Sequence, residues 1–308
     1  MKMSKVAVIG ECMVELQKAG EFYKQSFGGD SLNTALYLSR LTHAHGIQTA
    51  YLTGLGKDPF SQEMMNAWQN EHIDTSLVAI SEDKLPGMYA IETRDDGERS
   101  FYYWRNDAAA KFWLRDIDLA AFTETLSTYP LVYLSGISLA ILPQDCRETL
   151  FTVLAACRER GVKIAFDNNY RPKLWESIES AQENYRKILS LTDIAFLTFD
   201  DEVMLYGDND EEQAIARTLA LGVNEIVVKR GADDCFVVTS EERQVIPATK
   251  VTKVVDTTAA GDSFSAGYLA KRLLGGNLVE SANAGHTLAG TVIQYRGAII
   301  PSDVMPTI

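Results

Sequence analysis

A run of small residues that leads to an aspartate at the start of an amphipathic helix constrains this chain more than any other feature. The run spans residues 255–268 and reads VDTTAAGDSFSAGY. The first amides of a helix lack intrahelical partners and carry positive partial charge, so those of Ala259, Ala260 and Gly261 can bind an anion such as phosphate. Asp262, in the first turn, is placed to take a proton from a hydroxyl group that attacks this phosphate. From this stretch alone, an equally good interpretation is that Asp262 is only an acidic residue that stabilises the first turn of the helix.

The size and charge of the chain limit the classes of protein that it can form. With 308 residues, 46% of them hydrophobic, it can bury a large core as one α/β unit with a small appendage or as two domains. A net charge of −13 argues against a nucleic-acid-binding surface. Positive potential for an anionic ligand must therefore come from helix ends and a few placed arginine and lysine side chains.

Cysteine usage and hydropathy predict a soluble cytoplasmic protein. The four cysteines, at positions 12, 146, 157 and 235, are scattered without a C-x-x-C pair. This spacing favours reduced thiols over a disulfide framework and offers no metal site. The amino terminus leads directly into a strand without a signal peptide, and no apolar run reaches the ~18 residues of a membrane span.

Alternating strands and helices predict the fold class. Amphipathic stretches separate six apolar runs, at residues 5–10, 47–53, 131–135, 162–167, 193–198 and 224–229. Such alternation indicates an α/β fold with a doubly wound, mostly parallel sheet and helices on both faces, whose ligands bind at the carboxyl ends of the strands. The G-x-G-x-x-G fingerprint of dinucleotide-binding folds is absent after Gly10, so a nicotinamide-dependent oxidoreductase is disfavoured.

A second polar motif precedes the first predicted helix. Gly28 and Gly29 permit close approach of the backbone, and Asp30 and Asn33 lie about one helical turn apart, where they can hold adjacent hydroxyl groups. A turn followed by a helix cap is the alternative interpretation.

Residues 84–106 predict an aromatic hairpin around the sequence DDGE at 95–98. Period-two alternation places Phe101, Tyr103 and Arg105 on one face, which combines an apolar wall, a hydroxyl group and a cation. An exposed aromatic hairpin is equally suited to a dimer surface and to a binding wall.

The two motifs together resemble the signatures of one family. Residues 256–264, DTTAAGDSF, resemble the D-T-x-G/A-A-G-D-x-F signature of the ribokinase-like (PfkB) carbohydrate kinases, and residues 28–35 resemble their G-G-x-x-x-N-x-A signature. The resemblance covers the chain from Gly10 to Ile300. It implies one ribokinase-like kinase domain over residues 1–308, with a small β-sheet lid formed by about 12–27 and 84–106.

The resemblance also implies roles for individual residues. Asp262 would be the catalytic base and Ala259, Ala260 and Gly261 the anion hole, although many members have glycine in place of Ala259. The loop at 167–175 is similar to D-x-N-x-R-x-x-L-W of the branch that phosphorylates 2-keto-3-deoxygluconate, in which the loop arginine and a lid arginine hold the carboxylate. The implied substrate-binding residues are Gly28, Gly29, Asp30, Asn33, Tyr89, Tyr103, Arg105, Arg171 and Asp262.

The residues implied to bind cofactors match the family's motifs less closely than the two signatures do. The nucleotide-binding residues would be Asn169, Thr198, Lys229, Gly231, Ala259, Ala260, Gly261 and Asn283. Thr198 and Asp201 replace the family's N-x-x-E, whose acid organises Mg²⁺ through water, and Asp256 and Thr258 belong to a loop that coordinates a monovalent cation, often K⁺. The four histidines, at 43, 45, 72 and 286, receive no chemical role.

We therefore expect an ATP- and Mg²⁺-dependent sugar-acid kinase that phosphorylates the 6-hydroxyl group of 2-keto-3-deoxy-D-gluconate and forms a homo-oligomer through the lid. The alternatives are fructokinase or another neutral-sugar kinase, distinguished by whether Arg105 and Arg171 converge, and a catalytically inactive sugar sensor, which the intact Asp262 disfavours. Neither a nucleic acid nor a membrane is an expected partner.

Overall fold

The structure, a computed structural model, describes residues 4–93 and 99–308. Its strands are β1 Lys5–Ile9, β2 Met13–Ala19, β3 Phe22–Gly28, β4 Gln48–Leu52, β5 Gly54–Leu55, β6 Ile73–Asp74, β7 Ala79–Ile80, β8 Met88–Thr93, β9 Arg99–Trp104, β10 Leu131–Ser135, β11 Lys163–Asp167, β12 Ile194–Thr198, β13 Glu225–Lys229, β14 Cys235–Val238 and β15 Arg243–Ile246. Its α-helices are α1 Asp30–Thr42, α2 Pro59–Asn70, α3 Ala109–Phe112, α4 Leu119–Leu126, α5 Gly136–Ala140, α6 Gln144–Glu159, α7 Ile178–Leu189, α8 Phe199–Tyr206, α9 Glu211–Ala220, α10 Ala260–Leu273 and α11 Leu278–Val292.

The large sheet has the strand order β15-β14-β13-β12-β11-β10-β1-β4-β6. Its pairs are parallel except β13–β14 and β14–β15, which are antiparallel. The order reverses at β1, which has β10 on one side and β4 on the other. The carboxyl ends of β1, β10, β11, β12 and β13 therefore open to the same edge of the sheet, where a doubly wound fold binds its ligands.

Both faces of this sheet are covered, which explains the continuous apolar runs of its strands. Along β1, Val6 and Val8 pack in one buried cluster together with α1, α10 and α11, whereas Ala7 and Ile9 pack in the other with α6 and α7. Alternate residues of one strand thus contribute to two cores. The predicted doubly wound, mostly parallel fold is confirmed.

A separate small sheet has the strand order β3-β2-β8-β9. The β2–β3 hairpin turns at Gly20, whose φ of +66° favours glycine. Strands β8 and β9 are antiparallel, with Tyr89 opposite Tyr103. The turn that the sequence predicts at 95–98 lies outside the described residues. The predicted small second sheet is confirmed. Its strands span residues 13–28 in the first segment and, within the described ranges, 88–93 and 99–104 in the second.

No helix in the described ranges is long and apolar enough to cross a membrane.

Candidate active site

The carboxylate of Asp262 lies where the first helix meets the helix that follows the small-residue run. Asn33 Nδ2 donates a hydrogen bond to Asp262 Oδ2 at 2.9 Å, although 229 residues separate them in sequence. The neighbouring Thr34 Oγ1 contacts the backbone oxygen of Asp262 at 3.4 Å. Packing of α1 against α10 therefore joins the two sequence motifs into one site.

The surroundings of Asp262 raise the pKa of its carboxyl group to about 8. Burial is the largest cause, and the negative charges of Asp30 and Asp167 act in the same direction. The hydrogen bond from Asn33 and the positive charge of Lys229 oppose the rise. A carboxyl group whose pKa lies near the working pH can exchange a proton in either direction, which is the property required of a general base.

Asp30 is held by residues that follow two different strands. Its Oδ2 atom accepts hydrogen bonds from Ser135 Oγ, at the end of β10, and from Asn169 Nδ2, after β11, both at 2.6 Å. The structure thus places the side chain of Asn169 on Asp30, and Asn169 is not among the residues that line the cavity described below, so its contact with a nucleotide stays a prediction. Asn169 has a φ of +28°, so its backbone turns the amide toward the first helix.

Gly28 and Gly29 lie where a side chain would collide with neighbouring atoms. A Cβ atom on Gly28 would approach Tyr89 Oη to 2.1 Å, and one on Gly29 would approach the backbone oxygen of Glu11 to 2.1 Å. The close approach predicted for these glycines therefore occurs, and it brings the start of α1 against the loop after β1.

Lys229 forms the positive side of the site. Its Nζ atom lies 2.6 Å from Asp167 Oδ2, and Ser265 Oγ donates to the same oxygen at 2.8 Å. A Cβ atom on Gly261 would lie 3.5 Å from Lys229 Nζ. Strands β11 and β13 therefore supply a buried ion pair directly beside the first turn of α10.

The amino terminus of α10 presents backbone donors beside this lysine. The amide of Ala260 donates to the Thr257 oxygen at 3.1 Å. Within the described part of the chain, the amides of Ala259 and Gly261 have no hydrogen-bond partner. Two of the three expected donors can therefore bind an anion without rearrangement, and the third must exchange its turn hydrogen bond.

A cavity of about 610 Å³ extends from this helix terminus. Its lining includes five residues that the sequence assigns to a nucleotide: Thr198, Lys229, Gly231, Ala260 and Gly261. It also includes residues that the sequence does not assign, namely Phe264, His286, Ala289, Gly290 and Ile293, together with six residues of the loop 248–254. Asn283 is exposed and does not line this cavity, so its expected contact with adenine stays a prediction. Residues one and two turns later on α11 line the cavity.

The two arginines expected to hold a carboxylate lie near the same tyrosine. Burial raises the pKa of the Tyr103 hydroxyl, and the positive charges of Arg105 and Arg171 both act to lower it. Arg105 makes an ion pair with Glu11, whereas Arg171 is half-exposed and lies 3.6 Å from Asp201. The guanidinium group of Arg105 lies 5.9 Å from the centroid of the Tyr103 ring, so Tyr103 has in its electrostatic surroundings one arginine that follows β9 and one that follows β11.

The hydroxyl group of Tyr89, which was expected to bind the substrate, is already paired within the protein. Its hydroxyl group donates to Glu15 Oε2, and its ring packs against that of Tyr103 with centroids 5.7 Å apart. Burial raises its pKa strongly. The structure therefore uses Tyr89 as support for Tyr103.

The residues expected to bind metal ions have protein partners. The amide of Tyr170 donates to Asp201 Oδ2 at 3.0 Å, and burial raises the pKa of Asp201. Asp256 accepts from the amides of Thr258 and Gly297 at 3.1 and 2.9 Å, which joins its loop to the one after α11. Among the described residues, no group of three or more His, Cys, Asp or Glu side chains could enclose a metal ion.

Four residues of this region were not predicted: Glu11, Asp167, Ser265 and His286. Glu11 and Asp167 stand at the carboxyl ends of β1 and β11, so the rule for ligand positions in doubly wound sheets contained a signal for both. Ser265 and His286 lie inside helices rich in small residues. Only the orientation of those helices in the folded chain shows that Ser265 faces Asp167 and that His286 faces the cavity.

Together these features define a phosphotransferase of the carbohydrate kinase class: a raised-pKa carboxyl group at a helix terminus with open amides, a lysine beside it and a large adjoining cavity. The description "pfkB family carbohydrate kinase" matches residues 3–305, and the chain belongs to this family.

Two relatives match this chain over nearly the full length of both proteins. A 2-dehydro-3-deoxygluconokinase of Escherichia coli (strain K12) is 55% identical over 98% of this chain and 99% of its own, and one of Dickeya dadantii (strain 3937) is 53% identical over 99% and 100%. A proposed ribokinase II from E. coli, solved in complex with ATP and Mg²⁺, superposes with a TM-score of 0.84 at 22% identity, over 96% of this chain and 94% of that one.

Proposed function

We propose that this protein is a sugar-acid kinase that transfers a phosphoryl group from ATP to the 6-hydroxyl group of 2-keto-3-deoxy-D-gluconate. The observation that carries the choice of an acid is the presence of two arginines near Tyr103: the guanidinium group of Arg105 lies 5.9 Å from the ring centroid, and the charge of Arg171 acts on the pKa of the same hydroxyl group. A guanidinium group suits a carboxylate because its donors form a planar fork. The names of the full-length relatives support the same acceptor. A neutral sugar has no carboxylate that two arginines at this place could bind.

The role that we propose for each residue in phosphoryl transfer follows from its place in the site. Asp262 accepts the proton of the attacking hydroxyl group, and Asp30 and Asn33 orient the sugar beside it. The amides of Ala259, Ala260 and Gly261 stabilise negative charge on the transferred group, which is the main contribution that phosphoryl transfer requires from a protein.

The cavity suits a nucleotide cofactor. It adjoins the open amides of α10 and Lys229, and its remaining walls are largely apolar, as expected for a site that holds a base and a ribose. Gly231 and Thr198 line it close to the ends of β13 and β12. When bound, ATP with Mg²⁺ supplies the phosphoryl group and neutralises its charge.

The metal sites are part of the proposal. Mg²⁺ keeps several water ligands and needs few carboxylates, so Asp201 can organise it through water. The joined loops of Asp256, Thr258 and Gly297 are the proposed site of a monovalent cation such as K⁺, directly behind the terminus of α10.

The small sheet is proposed as a lid on one kinase domain and as the contact between subunits. Its side away from Tyr103 exposes large aromatic groups, including Tyr23, Tyr102 and Trp104. Exposed aromatic patches mark interaction surfaces. The four cysteines are buried and free, which supports a cytoplasmic location.

A coupled kinase assay over sugar acids and neutral sugars tests the function. We expect 2-keto-3-deoxygluconate to be preferred over fructose, and Arg171→Ala to reduce kcat/KM for the acid by about 2–4 kcal/mol with much less effect on a neutral ketose. Arg160→Ala is the matched control for the loss of one positive charge, because Arg160 is exposed and precedes β11, whereas Arg171 follows that strand. Equal losses on acid and neutral substrates would favour a fructokinase.

A further inference from the structure

Tyr37 lies on α1 one turn after Asn33, so the two side chains share a face of the helix. Asn33 donates to the carboxylate of Asp262 in the first turn of α10. The hydroxyl group of Tyr37 donates to the backbone oxygen of Ala298 at 2.7 Å and accepts from the amide of Ile300 at 3.1 Å. One turn of α1 therefore contacts the start of α10, and the next turn holds a segment close to the carboxyl terminus.

The Tyr37 hydroxyl group is suited to hold two backbone groups at once. Its side chain is fully buried, and burial raises the pKa of Tyr37 to about 12, so the hydroxyl group keeps its proton at neutral pH. A protonated phenol can donate one hydrogen bond and accept another. Residues 293–301 connect α11 to the 3₁₀-helix at Ser302–Val304 through turns and bends. Irregular backbone depends on side chains for part of its hydrogen bonding, so one hydroxyl group fixes two polar groups of this segment.

Arg40 holds the end of the same segment. Its Nη1 atom donates to the backbone oxygen of Ile300 at 2.7 Å, while its Nε and Nη2 atoms donate to the two carboxylate oxygens of Glu71 at 2.8 and 2.6 Å. This bidentate pair fixes the plane of the guanidinium group. Tyr37 and Arg40 lie three residues apart on α1, so the helix presents two anchors on one side.

The anchored segment is joined to the loop that carries the anion hole. The amide of Gly297, next to Ala298, donates to Asp256 Oδ2 at 2.9 Å. The other oxygen of this carboxylate accepts from the amide of Thr258 at 3.1 Å, and Thr258 directly precedes Ala259, the first residue of the anion hole. A shift of the anchored segment would therefore pass through one carboxylate to the backbone donors of the hole.

We propose that Tyr37 is a positioning residue for phosphoryl transfer: its hydroxyl group fixes the backbone behind the anion hole relative to the helix that carries the sugar-binding residues. Tyr37 acts without touching either substrate. Its effect arises because transfer depends on holding the acceptor hydroxyl group and the transferred group at the correct separation. The inference rests on the proposed function and adds a residue that lies outside both sequence motifs.

The test removes the hydroxyl group and retains the ring. Tyr37→Phe should lower kcat about 3- to 10-fold, as expected for the loss of one net hydrogen bond. The KM for the sugar acid should stay unchanged, because Asp30 and Asn33 remain in place. Amide hydrogen exchange of the peptide 296–301, measured by mass spectrometry without substrates, should become faster by a similar factor. Arg40→Lys, which keeps a charge for Glu71 but lacks the planar fork, should change kcat and the exchange rate in the same directions.

Tyr268→Phe is the matched control. Tyr268 is also fully buried, and its hydroxyl group donates to Glu225 at the amino-terminal end of β13, away from the anion hole. This variant should keep wild-type kcat. A wild-type kcat in Tyr37→Phe, an equal loss of kcat in both tyrosine variants, or a rise in KM without a loss of kcat would overturn the role of Tyr37.

The same experiment separates this inference from the proposed function. Failure of wild-type protein to phosphorylate the sugar acid would overturn the proposed acceptor. Hydrogen exchange needs no substrate, so it would still decide the role of Tyr37: exchange of the peptide 296–301 that is no faster in Tyr37→Phe than in wild-type protein would overturn it.

Discussion

The guanidinium group of Arg105 is paired with the buried carboxylate of Glu11, which joins the small sheet to the loop after β1. The pair is incompletely satisfied, because Glu11 Oε1 and Arg105 Nε are buried without partners. Burial raises the pKa of Glu11, and the charge of Arg105 opposes the rise. Arg105 is therefore held against the loop after β1 without a ligand, and its Nε donor is still open.

The first prediction concerns this ion pair. Arg105→Met should destabilise the protein by about 3 kcal/mol, since it leaves a buried carboxylate uncompensated. The double variant Glu11→Gln with Arg105→Met should recover much of that loss, because neither charge then remains. Urea unfolding of both single variants and the double variant measures the coupling. Additive losses would show that the pair contributes nothing specific.

The second prediction concerns Asp262, whose raised pKa carries a cost in stability. Its carboxyl group binds a proton more tightly in the folded chain than in the unfolded chain, so stability falls as pH rises from about 4 to about 8. Asp262→Asn removes this penalty. The variant should match wild-type stability near pH 4 and exceed it by ~1–3 kcal/mol at pH 9, while turnover falls roughly 10²–10⁴-fold.

Thermal unfolding at both pH values, without ligands, measures this effect. A stability difference that does not grow with pH would contradict the raised pKa. Near-normal turnover in the variant would remove Asp262 from the role of base. Asp303→Asn, a carboxylate in the carboxy-terminal segment, is the control for loss of one negative charge.

Several parts of this site could be predicted from sequence because they depend on local backbone geometry. Asp262 and the anion hole follow from a helix start, and Gly28 and Gly29 follow from the lack of side chains. The side-chain partner of Asn169 and the face of α11 on which Asn283 lies could not be predicted from the sequence, for physical reasons. The left-handed turn at Asn169 and the phase of α11 depend on tertiary packing, which no local pattern contains. The Arg105–Glu11 pair likewise joins distant segments.

The third prediction concerns the monovalent cation. The loops of Asp256 and Gly297 meet behind the anion hole, so an ion there would stabilise the backbone that carries the amides of Ala259 and Gly261. We expect moderate activation by K⁺ over Na⁺ at matched ionic strength, measured as kcat at saturating substrate. Equal rates in the two salts would remove the cation from the mechanism.

The last prediction uses the two neighbours of Asp262 that act on its pKa in opposite directions. The pH dependence of kcat/KM reports the free enzyme, so it should rise with pH through a limb near 8 as Asp262 loses its proton. Asp30→Asn removes a like charge and should move this limb to lower pH by roughly one unit. Asn33→Ala removes a hydrogen bond to the charged form and should move the limb to higher pH. We also expect both variants to weaken sugar binding, but the pH at which the profile rises is independent of the absolute rate. A limb that stays in place in both variants, or moves the same way, would show that a group other than Asp262 controls the reaction.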